Sequence, residues 1–255
     1  MRFFNPKKIE YFFKKSLFLS ESFLLKRRAE RYLKKQTEPE IKIIKELVDS
    51  KLASVDIGVY RGIYSYHLLT HSDFVYAFEA NPLLIDKLKK SFNNTNNIKI
   101  ENLAVSSSSG VAKLKIPYRD ESIEYDYEQK YQLGIASIHA ANELKNLNYS
   151  SINVKKISLD EYNFNHKIGF IKIDVEGHEL DIIRGAKNLL DTDKPNLLIE
   201  IEERHTGFSP QLIISEIKNF GYKCYILNQE FKLEEVNEKE NLKFSNNNFI
   251  FKPTK

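Results

Sequence analysis

Apolar runs with the length of buried strands alternate with amphipathic segments from residue 37 onward. The runs that predict strands are 53–57, 74–79, 98–105, 111–116, 154–157, 168–174, 196–202, 222–227 and 247–251. Helical spacing predicts helices at 63–71, 82–92, about 178–190 and between Ser209-Pro210 and Gly221, and a capping-box spacing at 37–40 opens a further helix. Strands alternating with helices predict a parallel sheet covered on both faces. We therefore expect an α/β doubly wound domain with one antiparallel strand at its edge.

The first 36 residues differ from the rest because they are strongly basic. They hold eleven Lys and Arg against three acidic residues, so this arm carries a net charge of +8 and the remaining residues −4. On a helical wheel most apolar side chains share one face and most lysines the other, although Phe18 and Leu25 fall on the basic side. Such a helix either lies on an anionic membrane or packs on its own domain, and we slightly favour packing. A basic arm on a mildly acidic body does not indicate nucleic-acid binding.

Composition narrows the class of protein further. Of the 255 residues, 42% are hydrophobic and 29% charged, which suits one large domain at 37–255 behind the arm at 1–36. Cys224 is the single cysteine, which excludes an internal disulfide framework and a Cys-rich zinc site. No apolar run approaches the roughly 20 residues of a membrane-spanning helix. We therefore expect a cytoplasmic protein, peripheral at the inner face of the membrane if the arm binds lipid.

The first strand–turn–helix unit carries residues typical of a nucleoside-cofactor site. Gly58 allows a tight turn after strand 53–57, and Gly62 lets the next helix approach the sheet. Glu79, at the end of the following strand, can accept hydrogen bonds from both hydroxyls of a ribose. The G-x-G-x-x-G fingerprint of dinucleotide sites is missing, and Asp56 would repel a pyrophosphate but suits the amine of an amino-acid cofactor. These residues favour S-adenosylmethionine over NAD.

A second group of ionisable residues lies in and after strand 168–174. This strand delivers Lys172, Asp174 and Glu176 to its carboxyl end, where ionisable groups are costly unless they have partners or a function. We expect Asp174 and Glu176 to be catalytic. Glu179 fits better as an acidic residue in the first turn of the next helix.

A third group follows strand 196–202. Alternation places Glu200 and Glu202 on one face, and His205 lies beyond the strand end, where it is a candidate proton acceptor. Asp174 with Glu200 could bind a divalent cation, but we favour a site without a metal.

The chain resembles the FkbM family of S-adenosylmethionine-dependent methyltransferases across about residues 50–252. The motifs that carry the resemblance are V-D-I-G-V-Y-R-G-I-Y-S (55–65), V-Y-A-F-E-A-N-P (75–82), N-L-A-V-S (102–106), G-I-A-S-I (134–138), S-L-D-E-Y (158–162), F-I-K-I-D-V-E-G-H-E-L-D-I-I-R-G-A (170–186) and P-N-L-L-I-E-I (195–201). The segment 170–186 is the most specific of them. The chain departs from the usual D-x-G-A-N-x-G of such families at Val59-Tyr60-Arg61.

The resemblance implies a seven-stranded class I methyltransferase fold, which is Rossmann-like, and O-methylation in natural-product or surface-glycan pathways. The matched site residues are Asp56, Gly58 and Gly62 in the cofactor loop, Glu79 as the ribose acid, Asn102 to Ala104 beside the adenine, and Asp174 and Glu176 after the fourth strand of the fold. The arm lies outside the resemblance. The family does not fix the methyl acceptor.

The stretch 118–151 is polar and rich in tyrosine, and we expect it to form a cap over a small-molecule or glycan acceptor. Its Tyr118, Tyr125, Tyr127 and Tyr131 would supply stacking faces and hydroxyls for a sugar. Two alternatives to an O-methyltransferase remain: an NAD-dependent sugar-modifying enzyme, and a binding protein whose methyltransferase fold has lost catalysis.

Overall fold

In the computed structural model, the residues described are 19–118, 136–138, 148–203, 209–236 and 247–254. The helices are α1 (Glu21–Lys35), α2 (Ile44–Leu47), α3 (Ile63–Leu68), α4 (Pro82–Ser91), α5 (Glu179–Arg184), α6 (Lys187–Thr192) and α7 (Pro210–Lys218), with a 3-10 helix at Pro39–Ile43. The strands are β1 (Ala53–Ile57), β2 (Val75–Phe78), β3 (Ile98–Glu101), β4 (Ala104–Val105), β5 (Gly110–Tyr118), β6 (Asn148–Ile157), β7 (Ile168–Ile173), β8 (Asn196–Glu200), β9 (Tyr222–Leu227), β10 (Leu233–Glu235) and β11 (Asn248–Pro253). The predicted alternation of strands and helices is confirmed.

The main sheet has eight strands in the order β10-β9-β11-β8-β7-β1-β2-β3. Its five strands from β8 to β3 are parallel, and β11 runs antiparallel between β8 and β9. The expectation of seven strands with the antiparallel strand at the edge is therefore wrong in two respects. The antiparallel strand lies inside the sheet, and the chain turns after β9 to add the short strand β10 at the edge. A three-residue strand is too short to leave a clear periodic signal in the sequence.

A second sheet of three strands, in the order β4-β6-β5, packs beside the first. The apolar run 98–105, expected to be one strand, divides into β3 of the main sheet and β4 of the small sheet. Ser137 extends the small sheet by pairing with Lys115 of β5. Most of the predicted cap 118–151, including Tyr125, Tyr127 and Tyr131, lies outside the described residues.

Two predicted helices differ in detail. The helix expected at about 178–190 breaks into α5 and α6 at Gly185, where an added Cβ would come 2.2 Å from the backbone oxygen of Ser106. The chain bends there because only glycine permits this approach. The capping box at 37–40 does not form, because the 3-10 helix at Pro39–Ile43 has no side-chain hydrogen bond at its N-terminus.

The described part of the arm packs on the domain, as the favoured interpretation held. Helix α1 contacts α3 and α4, and it buries Leu25 and Ala29. The helical wheel had assigned Leu25 to the basic side and Phe23 to the apolar side, yet Phe23 is exposed. The wheel did not take into account that α1 begins after Ser20, whose hydroxyl accepts a hydrogen bond from the backbone N–H of Phe23 at 3.2 Å. Contact between the arm and a membrane stays a prediction.

Apolar residues fill both faces of the main sheet. One face, with Val55, Ile171 and Ile199, packs against α5, α6 and α7, and the opposite face packs against α1 to α4. Within the described part of the chain, no helix is both long enough and apolar enough to cross a membrane. Because the five central strands are parallel, their carboxyl ends lie at one edge of the sheet, where a doubly wound sheet places its ligand.

Candidate active site

A cleft lies at the carboxyl ends of β1, β2, β7 and β8. Its lining residues are Ile57, Gly58, Tyr60, Phe78, Glu79, Ala80, Leu103, Ala104, Val105, Leu114, Ala136, Ile138, Asp174, Val175, Glu176, His178 and Glu200. We call this the cofactor cleft. The sequence analysis expected site residues at the ends of β1, β2 and β7. The structure brings four of them together in this cleft: Gly58, Glu79, Asp174 and Glu176.

Glu79 is fixed at the end of β2 by two main-chain hydrogen bonds. Its Oε2 accepts from the backbone N–H of Tyr60 and its Oε1 from that of Asn81, each at 2.8 Å. Burial raises the pKa of Glu79 to about 7, against the opposing effect of these two hydrogen bonds. Each oxygen keeps acceptor capacity on the side that lines the cleft. The arrangement suits two hydroxyls on neighbouring carbons, as in a ribose.

The glycines of the first loop are required by close approach to other elements. Gly58 has φ +83°, and an added Cβ would lie 1.8 Å from the backbone oxygen of Asp174. Gly62 has φ +77°, and its Cβ would meet the ring of Phe92 at 2.8 Å. The prediction that Gly62 brings its helix close to the sheet is therefore corrected, since the close neighbour is Phe92 at the end of α4. Gly58 brings the β1 loop against the loop after β7, which joins the two halves of the cleft.

Asp56 lies beside the cleft without lining it. It is 1% exposed, and its Oδ2 accepts a hydrogen bond of 2.5 Å from the Ser65 hydroxyl of α3. Among the described residues, its Oδ1 has no hydrogen-bond partner. Burial raises the pKa of Asp56, and the ammonium of Lys172 opposes that rise. Asp56 thus adds an incompletely satisfied buried carboxyl near the cleft, a feature that favours a cationic ligand.

Asp174, Glu176 and Glu200 line one end of the cofactor cleft, which we call the acidic end, and Lys172 contacts one of these carboxyl groups. Lys172 is 5% exposed, lies beside Asp56 in the β1–β7 register, and places its Nζ 2.8 Å from Oδ2 of Asp174. Asp174 also hydrogen-bonds with Glu200 at the end of β8. Burial and the neighbouring Asp174 raise the pKa of Glu200 to about 9. These contacts link the buried Lys172 to the half-buried Asp174 and Glu200, which line the cleft.

The loop after β7 turns sharply at Glu176, which has φ +58°. Its backbone oxygen accepts a 2.8 Å hydrogen bond from the hydroxyl of Ser137, in the segment 136–138. The imidazole Nε2 of His178 lies 2.9 Å from the hydroxyl of Ser106, and its Nδ1 lies 3.4 Å from Asp181. The loop is therefore joined to the small sheet and to the chain after β4.

The remaining predicted residues have different placements. Ala104 lines the cleft beside Leu103 and Val105, which supports its assignment next to the adenine. Asn102 instead supports the loop after β2, because its side-chain amide donates to the backbone oxygens of Glu79 and Ala80 at 2.8 and 3.2 Å. His205 lies outside the described residues, so its role stays a prediction.

Among the described residues, no group of three or more His, Cys, Asp or Glu side chains could hold a metal ion. At Asp174, where a cation was considered, the ammonium of Lys172 already provides the positive charge. We therefore treat Asp174 and Glu200 as a carboxyl pair.

The cleft fits the expected cofactor on three observations. Glu79 lines the cleft with a carboxyl group held by two main-chain N–H groups, which suits a ribose, and Leu103 to Val105 offer apolar surface that suits an adenine. At the opposite end, the carboxyls outnumber Lys172, which suits the sulfonium and ammonium charges of S-adenosylmethionine. That cofactor supplies an electrophilic methyl group, and Glu79 with the residues around Gly58 and Asp174 would hold it.

Sequence reasoning missed several residues of this site. Tyr60, with φ +48°, and His178 line the cleft, although neither stood out as a candidate. Ala136 and Ile138 line it from the predicted cap. The quoted motifs at 55–65, 134–138 and 170–186 contain all four residues, so motif membership was the available signal.

Comparison with known proteins places the chain in a family. A model of the methyltransferase FkbM domain matches residues 56–224. The chain is similar to the crystal structure of methyltransferase FkbM from Methylobacillus flagellatus KT, with a TM-score of 0.50 and 14% identity, over 80% of this chain and 44% of that chain. It thus spans less than half the length of that protein.

A second solved structure is a putative methyltransferase from Streptococcus mutans in complex with SAH, at a TM-score of 0.46 and 11% identity, over 84% of this chain and 94% of that chain. No curated protein matches the chain. The family model covers well over half of the sequence and includes Gly58, Glu79, Asp174 and Glu200. The class I methyltransferase fold and S-adenosylmethionine as cofactor follow, and the NAD-dependent alternative is not retained. The chain belongs to the FkbM family of S-adenosylmethionine-dependent methyltransferases.

Proposed function

We propose that the protein transfers the methyl group of S-adenosylmethionine to a hydroxyl oxygen of a sugar, a surface glycan or a natural product. The observation that carries this proposal is the set of carboxyl groups at one end of the cofactor cleft, Asp174, Glu176 and Glu200. A hydroxyl must lose its proton when its oxygen is methylated, so a base beside the reacting oxygen assists the transfer.

The lining of the cleft also favours a neutral acceptor. Carboxyl groups at its acidic end disfavour an anionic substrate by like-charge repulsion. Ala136 and Ile138 line the cleft from within the predicted cap, next to the stretch whose tyrosines suit a carbohydrate. A polyhydroxylated, uncharged acceptor meets both conditions.

Two contributions to rate are expected of the protein. Alignment of the acceptor oxygen with the methyl carbon and sulfur reduces the entropic cost of an in-line displacement. A proton acceptor in the cleft contributes typically about 100- to 10,000-fold. The candidates are the carboxyl groups named above and His205.

The test is methyl transfer from isotopically labelled S-adenosylmethionine to a panel of sugars, glycans and polyhydroxylated natural products. We expect a product with a new O–CH₃ group, located by mass spectrometry and NMR. Matched amino-sugars in the panel show whether nitrogen competes with oxygen. Methylation only at nitrogen or carbon would contradict the proposal.

A further inference from the structure

The carboxyl groups at the acidic end of the cleft are not equivalent. Asp174 has the ammonium of Lys172 at 2.8 Å, which stabilises its anionic form and makes it a weak base. Glu200 lies beside Asp174, because Ile199 pairs with Ile173 in the β7–β8 register and each carboxyl residue comes next along the chain, and the two side chains hydrogen-bond. The two members of the pair therefore differ in how strongly each retains a proton.

Two carboxyl groups can hydrogen-bond to each other only when a proton lies between them. Because Lys172 favours the charged form of Asp174, that proton belongs on Glu200. The pKa of Glu200, raised to about 9, agrees with this geometry. In the cofactor-free protein near neutral pH, Glu200 is thus a neutral acid that donates to Asp174.

The surroundings of the pair carry an excess of acidic groups. From the segment before α2, Glu38 and Glu40 face it, and Glu38 accepts a 3.4 Å hydrogen bond from the hydroxyl of Tyr64 in α3. Asp56 approaches from β1, and Glu202 follows on the chain beyond β8.

Within the described part of the chain, Lys172 is the cation that interacts with Asp56, Asp174, Glu38 and Glu200. One ammonium among several half-buried or buried carboxyls leaves the cluster short of positive charge. A cation that enters the cleft supplies the missing positive charge.

We propose that Glu200 is the group that accepts the proton of the acceptor hydroxyl, and that it becomes ionised by releasing the proton it shares with Asp174 when the cationic methyl donor binds. This inference rests on the proposed hydroxyl acceptor. Before the donor binds, the neutral form of Glu200 avoids two adjacent anions in the half-buried cleft. Its ionised form is present only when the donor is bound, so the base and the methyl group are available together.

The chemistry balances with the groups present. On donor binding, the shared proton leaves to solvent and Glu200 becomes a carboxylate. In the transfer, this carboxylate takes the hydroxyl proton, a lone pair on the acceptor oxygen forms the bond to the methyl carbon, and the electron pair of the broken methyl–sulfur bond stays on sulfur. Glu200 ends as the neutral acid, hydrogen-bonded to Asp174 as before.

The first test counts protons by calorimetry and needs no acceptor. S-adenosylmethionine and S-adenosylhomocysteine, which lacks the sulfonium charge, are each titrated at pH 8 in two buffers with different heats of ionisation. We expect the sulfonium compound to release roughly 0.5 to 1 proton more than the neutral one, as linkage requires when a bound cation lowers the pKa of Glu200. The Glu200→Gln variant, whose amide can still donate to Asp174, should lose this difference and remain folded.

Two variants sharpen the result. Glu202→Gln alters an acid two residues beyond the end of β8 that accepts a hydrogen bond from Asn247, and it should keep the difference. Glu176→Gln alters the competing carboxyl in the cleft and should keep it as well. A difference that persists in Glu200→Gln, or disappears in Glu176→Gln, would overturn the proposal, as would the absence of any binding heat from the folded wild-type protein.

A second test separates this inference from the proposed function. With a hydroxyl acceptor, Glu200→Gln should lower kcat by about 100- to 10,000-fold and remove the rise of kcat with pH. The Kd of this variant for S-adenosylhomocysteine should change less than threefold, roughly the effect of losing the weak contact of a neutral group. Equal activity of Glu200→Gln and wild type on a hydroxyl acceptor overturns the inference and leaves the function intact. If the wild type methylates only nitrogen or carbon, the proposed function fails, whatever the proton count.

Discussion

The two ends of the cofactor cleft are held in different ways. At the ribose end, the main chain fixes Glu79 through backbone N–H groups of Tyr60 and Asn81. At the acidic end, side chains fix one another, with Lys172 on Asp174 and Asp174 on Glu200. The first arrangement tolerates changes of side chain in the loop, because its donors are peptide groups. The second depends on every member, and its protonation can change with the ligand.

Gly58 connects the two ends, and replacing it should have the largest effect. A Cβ on Gly58 would lie 1.8 Å from the backbone oxygen of Asp174, so the loop after β7 must move or the turn must open. We expect Gly58→Ala to lower the free energy of unfolding by more than about 4 kcal/mol, the range reached by severe steric conflict in a core. Urea unfolding measures the change.

Gly221 provides the matched control for this substitution. It has φ +78°, close to that of Gly58, but the nearest atom to an added Cβ is Thr254 Oγ1 at 3.5 Å. Gly221→Ala should therefore lower the free energy of unfolding by about 1–2 kcal/mol, the cost of placing an alanine in the left-handed conformation. Equal losses in the two variants would show that the backbone conformation, and not the contact with Asp174, makes Gly58 necessary.

Removing Lys172 should have the next largest effect, and the effect should depend on pH. Lys172→Met leaves Asp56, Asp174 and Glu200 without their buried counter-ion, which should cost about 3–5 kcal/mol of stability at pH 8. At pH 5 the loss should be smaller, because burial raises the pKa of Asp56 and this carboxyl becomes neutral as the pH falls. Urea unfolding at both pH values measures the difference.

Lys99 serves as the control for Lys172. Its ammonium lies 2.7 Å from Glu101, but its side chain is 54% exposed. Lys99→Met should change stability by less than about 1 kcal/mol, as is typical of surface ion pairs. A loss in Lys172→Met that is equal at pH 5 and pH 8 would mean that the lysine acts through packing of its hydrocarbon stem and not through its charge.

The same contrast explains what could be predicted from the sequence. The ribose end comes from one β1–α3–β2 unit, so strand ends and local spacing were enough to identify Gly58 and Glu79. The acidic end needs the register of β1, β7 and β8, which are separated by long stretches of chain. Spacing placed Asp174 and Glu200 at one edge but could not show that Lys172 pairs with one and leaves a proton on the other.

The helical arm shows a related limit at the level of the fold. A wheel drawn through the whole arm takes no account of the N-cap at Ser20, where α1 begins. Leu25 was therefore assigned to the wrong side. Similarly, neither the eighth strand β10 nor the break at Gly185 follows from hydrophobic period, because both depend on contacts with distant segments.

The smallest of the expected effects concerns the ribose end. The Glu79→Gln variant tests whether the carboxyl group held there by the main chain binds the ribose of the cofactor. Glutamine keeps the size of the side chain but has only one acceptor oxygen, so one ribose hydroxyl or one loop N–H loses its partner. We expect the affinity for S-adenosylhomocysteine at pH 8 to weaken by about 1–3 kcal/mol, the usual cost of losing a hydrogen bond to a charged group.

The pH dependence gives the sign of the Glu79 effect and separates it from a general loss of structure. Glu79 has a pKa of about 7 in the cofactor-free protein, because burial disfavours its charged form. Below pH 7 it is mostly neutral and a poorer acceptor for hydroxyl groups, so wild-type affinity for S-adenosylhomocysteine should rise as the pH increases from 6 to 8. The affinity of Glu79→Gln should not change with pH over this interval. Glu101 lies at the end of the next strand and pairs with Lys99, so the affinity of the control variant Glu101→Gln should follow that of the wild type. Parallel pH curves for wild type and Glu79→Gln would remove the ribose assignment, because a ligand held by the carboxylate must respond to its ionisation.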